Sequence, residues 1–182
     1  MNHWTQLTLT RRADPAHVWQ ATLDSRSKGA ECPECKQAGK SRVELDHHAA
    51  AEAAFGAARS GAVLRHEAFT TRKSWTADIS ATVAGTTVVI EYDGAYWHRA
   101  EAKTLTDRSK STDLLAAGYA LVRLREDELQ PLGIDHPRYL EIPVYSKATR
   151  PREVMAEIGR WLAELADQDP EEPVRKGSSA RA

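Results

Sequence analysis

The spacing of apolar and polar positions changes character several times along the chain, and each change marks an element. Residues 1–42 show little periodicity and many turn formers, around Trp4, Trp19 and the segment GAECPECKQAGK. From Val43, VELDHHAAAEAAFGAARSG is alanine-rich and predicts a helix, ended by Gly61 in the left-handed position that follows a helix. Three strand-like runs follow, AVLRHEAF, SWTADISATV and TTVVIEYD, the last strongly β-branched. A second helix is predicted from Thr104, where TLTD has the form of a capping box with Asp107 as its acid; Gly118 closes it. YALVRLRE then predicts a fourth strand and YLEIPVYS an edge strand. Thr149 as cap and Pro151 in the first turn open a final helix with the apolar stripe Val154, Ile158, Trp161, Leu162 and Leu165. The expected organisation is a small module at 1–42, an α/β domain at 43–168 and a disordered, low-complexity tail at 169–182. No internal repeat is present.

The central hairpin concentrates acids. If the turn between its strands is Ala84-Gly85, or a four-residue loop centred there, Asp78 lies across from Glu91 with Cβ atoms about 5 Å apart. Asp93, two residues on, points to the same face. Ile79, Ala81, Val83, Val88, Ile90 and Tyr92 then make the opposite, core-facing set. An odd-length turn would break this register. Acids facing one another across a sheet repel, and a hard divalent cation such as Mg²⁺ or Mn²⁺ is the natural neutraliser. The alternative is a buried ion network with Arg123, Arg125 or Lys110. On the next helix Lys110 shares a face with Asp107, Leu114 and Ala117, which carries it towards the sheet, where a lysine can orient a nucleophile or steady phosphate charge. The bland reading of the same residue is a solvated lysine near the helix start.

Totals modify this picture only slightly. The 182 residues have a formal net charge of -1 and suffice for one packed domain plus an appendage. Lys and Arg outnumber Asp and Glu from Arg59 to Arg125, a local excess that favours nucleic acid. No stretch approaches the roughly 20 apolar residues of a membrane span, and MNHWTQLTLTRR lacks a signal-peptide pattern. A cytoplasmic protein without a membrane partner is therefore expected. Both cysteines, Cys32 and Cys35, form one CxxC, which in a reducing compartment suggests metal or redox chemistry.

The run IEYDGAYWH, followed by Asp107-Arg-Ser-Lys110, then Leu114, Gly118-Tyr119 and Val122-Arg123, resembles a known group. It is similar to the very-short-patch-repair (Vsr-like) branch of the PD-(D/E)XK nucleases, over about Glu52 to Arg125. The resemblance implies a restriction-endonuclease-like core (helix, three-stranded meander, helix, strand) and Mg²⁺-dependent endonuclease cleavage of DNA in repair or in defence and restriction. It maps the helix acid onto Glu52 and the metal acids onto Asp78 and Glu91. Asp93 stands where the broad superfamily has a lysine, which makes Lys110 the substitute. His98, after Tyr96 and Trp97, matches a histidine that takes part in catalysis in the repair enzymes. Asp107 is a supporting acid, and Trp97, Arg99, Arg123 and Arg125 are the expected DNA contacts.

His17, Trp19, Arg26, Gly29, Cys32 and Cys35 resemble the second half of a zinc-ribbon module found beside such domains. Cys32, Cys35 and His17, joined by His47 or His48, would hold structural zinc, or the site is degenerate. Two other readings compete. CPEC followed by LDHH has the look of an HNH nuclease opening that would use His47 or His48. A DNA-binding or assembly module with an inactive nuclease fold is the other. A homodimer, or a component of a larger nuclease or defence complex, fits each of these.

Overall fold

The computed structural model describes residues 6–11, 14–24, 41–95 and 101–168. The chain divides into two compact units, Met1–Arg42 and Val43–Ala182. In the first unit, β1 (Gln6–Arg11) and β2 (Asp14–Thr22) form an antiparallel pair with Gln6 opposite Thr22 and an irregularity at Thr10/Arg11. The low periodicity of residues 1–42 gave no sign of this pair. The alternation in LTLT was a strand signal too short to stand out from its turn-rich surroundings. Of the expected zinc ligands, His17 belongs to β2, and Cys32 and Cys35 lie outside the described residues. The tail from 169 lies outside them too.

The second unit is mixed α/β. Its elements are α1 (Arg42–Phe55), β3 (Arg59–Leu64), β4 (Trp75–Val83), β5 (Thr86–Asp93), α2 (Glu101–Ala116), β6 (Ala120–Glu126), β7 (Tyr139–Val144) and α3 (Pro151–Gln168). The five strands lie in the order β3-β4-β5-β6-β7. The first three form an antiparallel meander; β6 and β7 continue parallel to β5.

The turn between β4 and β5 is Ala84-Gly85, both with positive φ (46° and 84°), the geometry of a two-residue hairpin loop. It sets the expected register, from Val83 opposite Thr86 to Ile79 opposite Ile90. One face of the sheet, with Ile79, Ala81, Val88, Ile90, Val122 and Leu124, packs on Ala51 of α1 and on Val154, Met155 and Ile158 of α3. The other face brings Ala77, Val89 and Leu121 against Leu114 and Leu115 of α2. Each large apolar side chain so buried contributes about 1.5–3 kcal/mol, and that packing holds the helices in place more than their propensity does.

Several boundaries differ from expectation. The first helix stops at Phe55, because Gly56 (φ 85°) takes the terminating position; Gly61 (φ 71°) lies inside β3. Helix α2 starts at Glu101, a turn before Thr104, so Asp107 is an interior helical residue with its side chain buried. Thr149 is one place too early as a cap: Pro151 is the first helical residue of α3, and the Val154 amide donates to the Arg150 carbonyl.

Strand β6 has parallel neighbours on both sides and is buried on both faces, which makes its two arginines conspicuous. Its link to β7 contains no helix. That loop is held instead by the Leu132 amide donating to Glu141 and by Arg108 Nε and Arg125 Nη2 donating to the Leu132 and Gln130 carbonyls.

Candidate functional site

The site begins where strand pairing fails. The β4–β5 ladder ends at Ile79/Ile90, and the β3–β4 ladder skips the position where Gly61 faces Asp78. Backbone groups released there need other partners. The Tyr92 amide donates to Asp78 Oδ2 at 2.9 Å, and the Thr76 carbonyl accepts from Lys110 Nζ at 2.7 Å. Asp78, Glu91 and Lys110 therefore meet at one break in the sheet, and Lys110 Nζ also forms an ion pair with Glu91 Oε2.

Glu91 is the unusual member. It is 3% exposed, and its Oε1 has no hydrogen-bond partner among the described residues. Desolvation by burial pushes its pKa up to about 7, Lys110 pulls it back, and the neighbouring Asp78 pushes it up further. With Lys110 on Oε2, the unmet demand lies at Oε1, which has no donor among the described residues.

Asp93 is placed differently. Arg123 grips it with two hydrogen bonds of 2.7 Å, and Arg125 Nη1 adds a third at 3.0 Å. Arg123 also donates to the Asp107 carbonyl and to Ser111 Oγ, and lies 3.1 Å from Asp107 Oδ1. For Asp93, then, the buried ion network describes the arrangement, and the metal cluster does not. The same bonds redefine the two arginines expected on DNA. Arg123 and Arg125 are 1% and 5% exposed and are occupied inside the domain, riveting α2 to β5 and β6.

Asp107 is held by Lys103 at 2.9 Å as well as by Arg123. Glu52 is exposed on α1, with its carboxylate 3.9 Å from His48. Trp97, His98 and Arg99 fall outside the described residues. The HNH alternative meets a fully buried His47, whose Nδ1 bonds the Val43 carbonyl and whose ring lies 6.1 Å from that of Tyr92; burial lowers its pKa. His48 Nε2 lies 3.3 Å from the Ala58 carbonyl.

Two residues that shape the site went unnoticed in the sequence. Glu126 bonds the Tyr92 hydroxyl and accepts from the Ala95 amide at 2.7 Å, fixing the chain as it leaves β5. Asp113 on α2 accepts from Thr70, Thr71 and Trp75 and ties the β3–β4 connection to the helix. Neither stands in a local motif, since the partners of each are about 30 or more positions away in sequence.

Among the described residues no group of three or more His, Cys, Asp or Glu side chains is arranged to hold a metal ion. Nor does any described helix have the length and apolarity to cross a membrane. In comparisons with known proteins, the chain matches no family model and no curated protein sequence.

Proposed function

We propose that this chain is a metal-dependent DNA endonuclease of the Vsr-like PD-(D/E)XK type, working through Asp78, Glu91 and Lys110 on a restriction-endonuclease-like core. The observation that carries the reading is Glu91: a buried carboxylate beside a second acid, with one oxygen unpartnered, at the point where two strands part. Such a group is expensive to keep without a use. Mg²⁺ fits this donor set, because it commonly takes one or two carboxylates and fills its remaining positions with water and phosphate oxygens. Asp78 and Glu91 would hold it. When bound, the ion supplies Lewis acidity towards the phosphodiester and the attacking water.

The chain's own groups do the rest. Asp78 is oriented by the Tyr92 amide, and Glu91 by Lys110. An ammonium has three donors; Lys110 uses two, on Glu91 and the Thr76 carbonyl, which leaves one for a phosphate oxygen or the attacking water. Asp93 takes no metal in this reading; it anchors α2 through Arg123, so that Lys110 stays in reach. His98, zinc at Cys32 and Cys35, a setting in DNA repair or defence, and assembly into a dimer or larger complex are parts of the proposal that rest on the family resemblance.

The test incubates the protein with supercoiled, linear and mismatch-bearing DNA in Mg²⁺, Mn²⁺ or EDTA. Cutting is expected with either metal and none in EDTA. Asp78→Ala and Glu91→Ala should each abolish it together with calorimetric Mn²⁺ binding, and Lys110→Ala should slow single-turnover cutting by roughly 10²-fold or more. Wild-type activity in either acid variant would overturn the assignment. The second reading, an inactive fold that binds DNA, is favoured by the ion pair through which Lys110 already neutralises Glu91. Binding without cutting in every metal would select it.

A further inference from the structure

We propose that residues 65–73, between β3 and β4, form a pre-shaped grip for the DNA backbone beside the carboxylate pair; this rests on the nuclease reading above. The segment RHEAFTTRK carries Arg65, Arg72 and Lys73 against a single acid, Glu67. All three cations are exposed, and no carboxylate among the described residues pairs with them. With Arg123 and Arg125 buried in the Asp93 network, phosphate-binding charge has to come from elsewhere in the domain, and this loop supplies it.

The loop is held in shape. Asp113, 1% exposed, accepts from the Thr70 amide (2.9 Å), Thr70 Oγ1 (3.0 Å), the Thr71 amide (3.2 Å) and Trp75 Nε1 (2.8 Å). Burial opposes ionisation of Asp113, but these donors outweigh it and hold its carboxyl below the usual range. Arg72 is fixed in turn: its guanidinium lies 4.7 Å above the Trp75 ring. A guanidinium stacked on a ring keeps its N–H edge available, which suits a phosphate. Pre-ordering reduces the entropy lost when DNA binds.

The grip and the carboxylates share one scaffold. Helix α2 holds the loop through Asp113 and, one turn earlier, holds Glu91 and the Thr76 carbonyl through Lys110. Lys73 precedes Asp78 by five residues, a chain reach of at most about 17 Å, which a DNA strand covers in about five nucleotides. A strand with one phosphate at the carboxylate pair therefore has others within reach of Arg72 and Lys73.

The test is equilibrium DNA binding in EDTA, by fluorescence anisotropy across a salt series. It compares wild type, Arg72→Ala/Lys73→Ala and a control pair, Arg152→Ala/Arg160→Ala, on exposed positions of α3. Each phosphate contact contributes about 0.9 to the slope of log K against log salt. The loop variant should lose about 1.8 of that slope, two contacts at that value, with weaker binding. The control should keep the wild-type slope. If the loop variant keeps the wild-type slope, or the control loses as much as the loop variant, the grip is overturned and the nuclease reading stands. If the wild type binds no DNA, both are overturned.

Discussion

Glu91 sits between a cation and another acid inside the protein, so its proton equilibrium reports on the whole site. Its folded pKa of about 7 lies above the ordinary 4.5, mainly because burial disfavours the charged form. Between those values the folded chain holds a proton that the unfolded chain has lost. Metal-free stability therefore falls as pH rises through that window, by about 3 kcal/mol at full shift. His47 works in the other direction. Its lowered pKa means that the unfolded chain takes up a proton first, so stability falls as pH drops below about 6.5. The difference between wild type and Glu91→Gln isolates the carboxylate. Urea unfolding should show the Gln variant gaining on the wild type as pH goes from 4.5 to 7. A difference that stays flat over this range would show that Glu91 titrates normally. Its neighbour in the sequence motif, Asp93, was legible only as an acid on the same face. Which of the two acids received arginines and which was left under-paired depended on residues 123 and 125, some 30 positions away.

At the scale of elements, the Asp93–Arg123–Asp107 network acts as the rivet between α2 and the sheet. Breaking a buried ion pair by removing one partner typically costs 3–5 kcal/mol, whereas replacing the pair with apolar groups of similar size is often neutral. Arg123→Met should therefore lower stability by about 3–5 kcal/mol, and adding Asp93→Leu should restore part of the loss. Urea midpoints measure both; an unchanged midpoint in Arg123→Met would mean that the network adds nothing. The hairpin was readable because strand periodicity and a glycine-containing turn agree on one register. The start of α2 was not. TLTD has cap chemistry, yet Asp107 found stronger partners in Lys103 and Arg123, and the helix ran on a turn further towards its N-terminus.

For the molecule as a whole, both core clusters, among the described residues, are built from positions between Ala50 and Leu165, and the five-stranded sheet they line runs from Arg59 to Val144. A chain of residues 43–168 should therefore fold by itself and unfold in one cooperative transition, with two probes, tryptophan fluorescence and far-ultraviolet circular dichroism, giving the same midpoint. Non-coincident curves, or a chain without a transition, would show that the Met1–Arg42 unit is needed for folding.

The sequence by itself determined the order of the elements after Val43, the register of the hairpin, the apolar face shared by Ile79, Ala81, Val88 and Ile90, and the placing of Asp78, Glu91 and Lys110 within reach of one another. These follow from periods of two and 3.6 residues and from a single tight turn, all of them local rules. Tertiary structure alone decided which acid is neutralised, which arginines are buried, where β4 leaves β5, and that Asp113 ties down the basic loop. Each of these depends on partners brought together across dozens of residues, and on a desolvation cost that exists only once the sheet and α2 have closed over them.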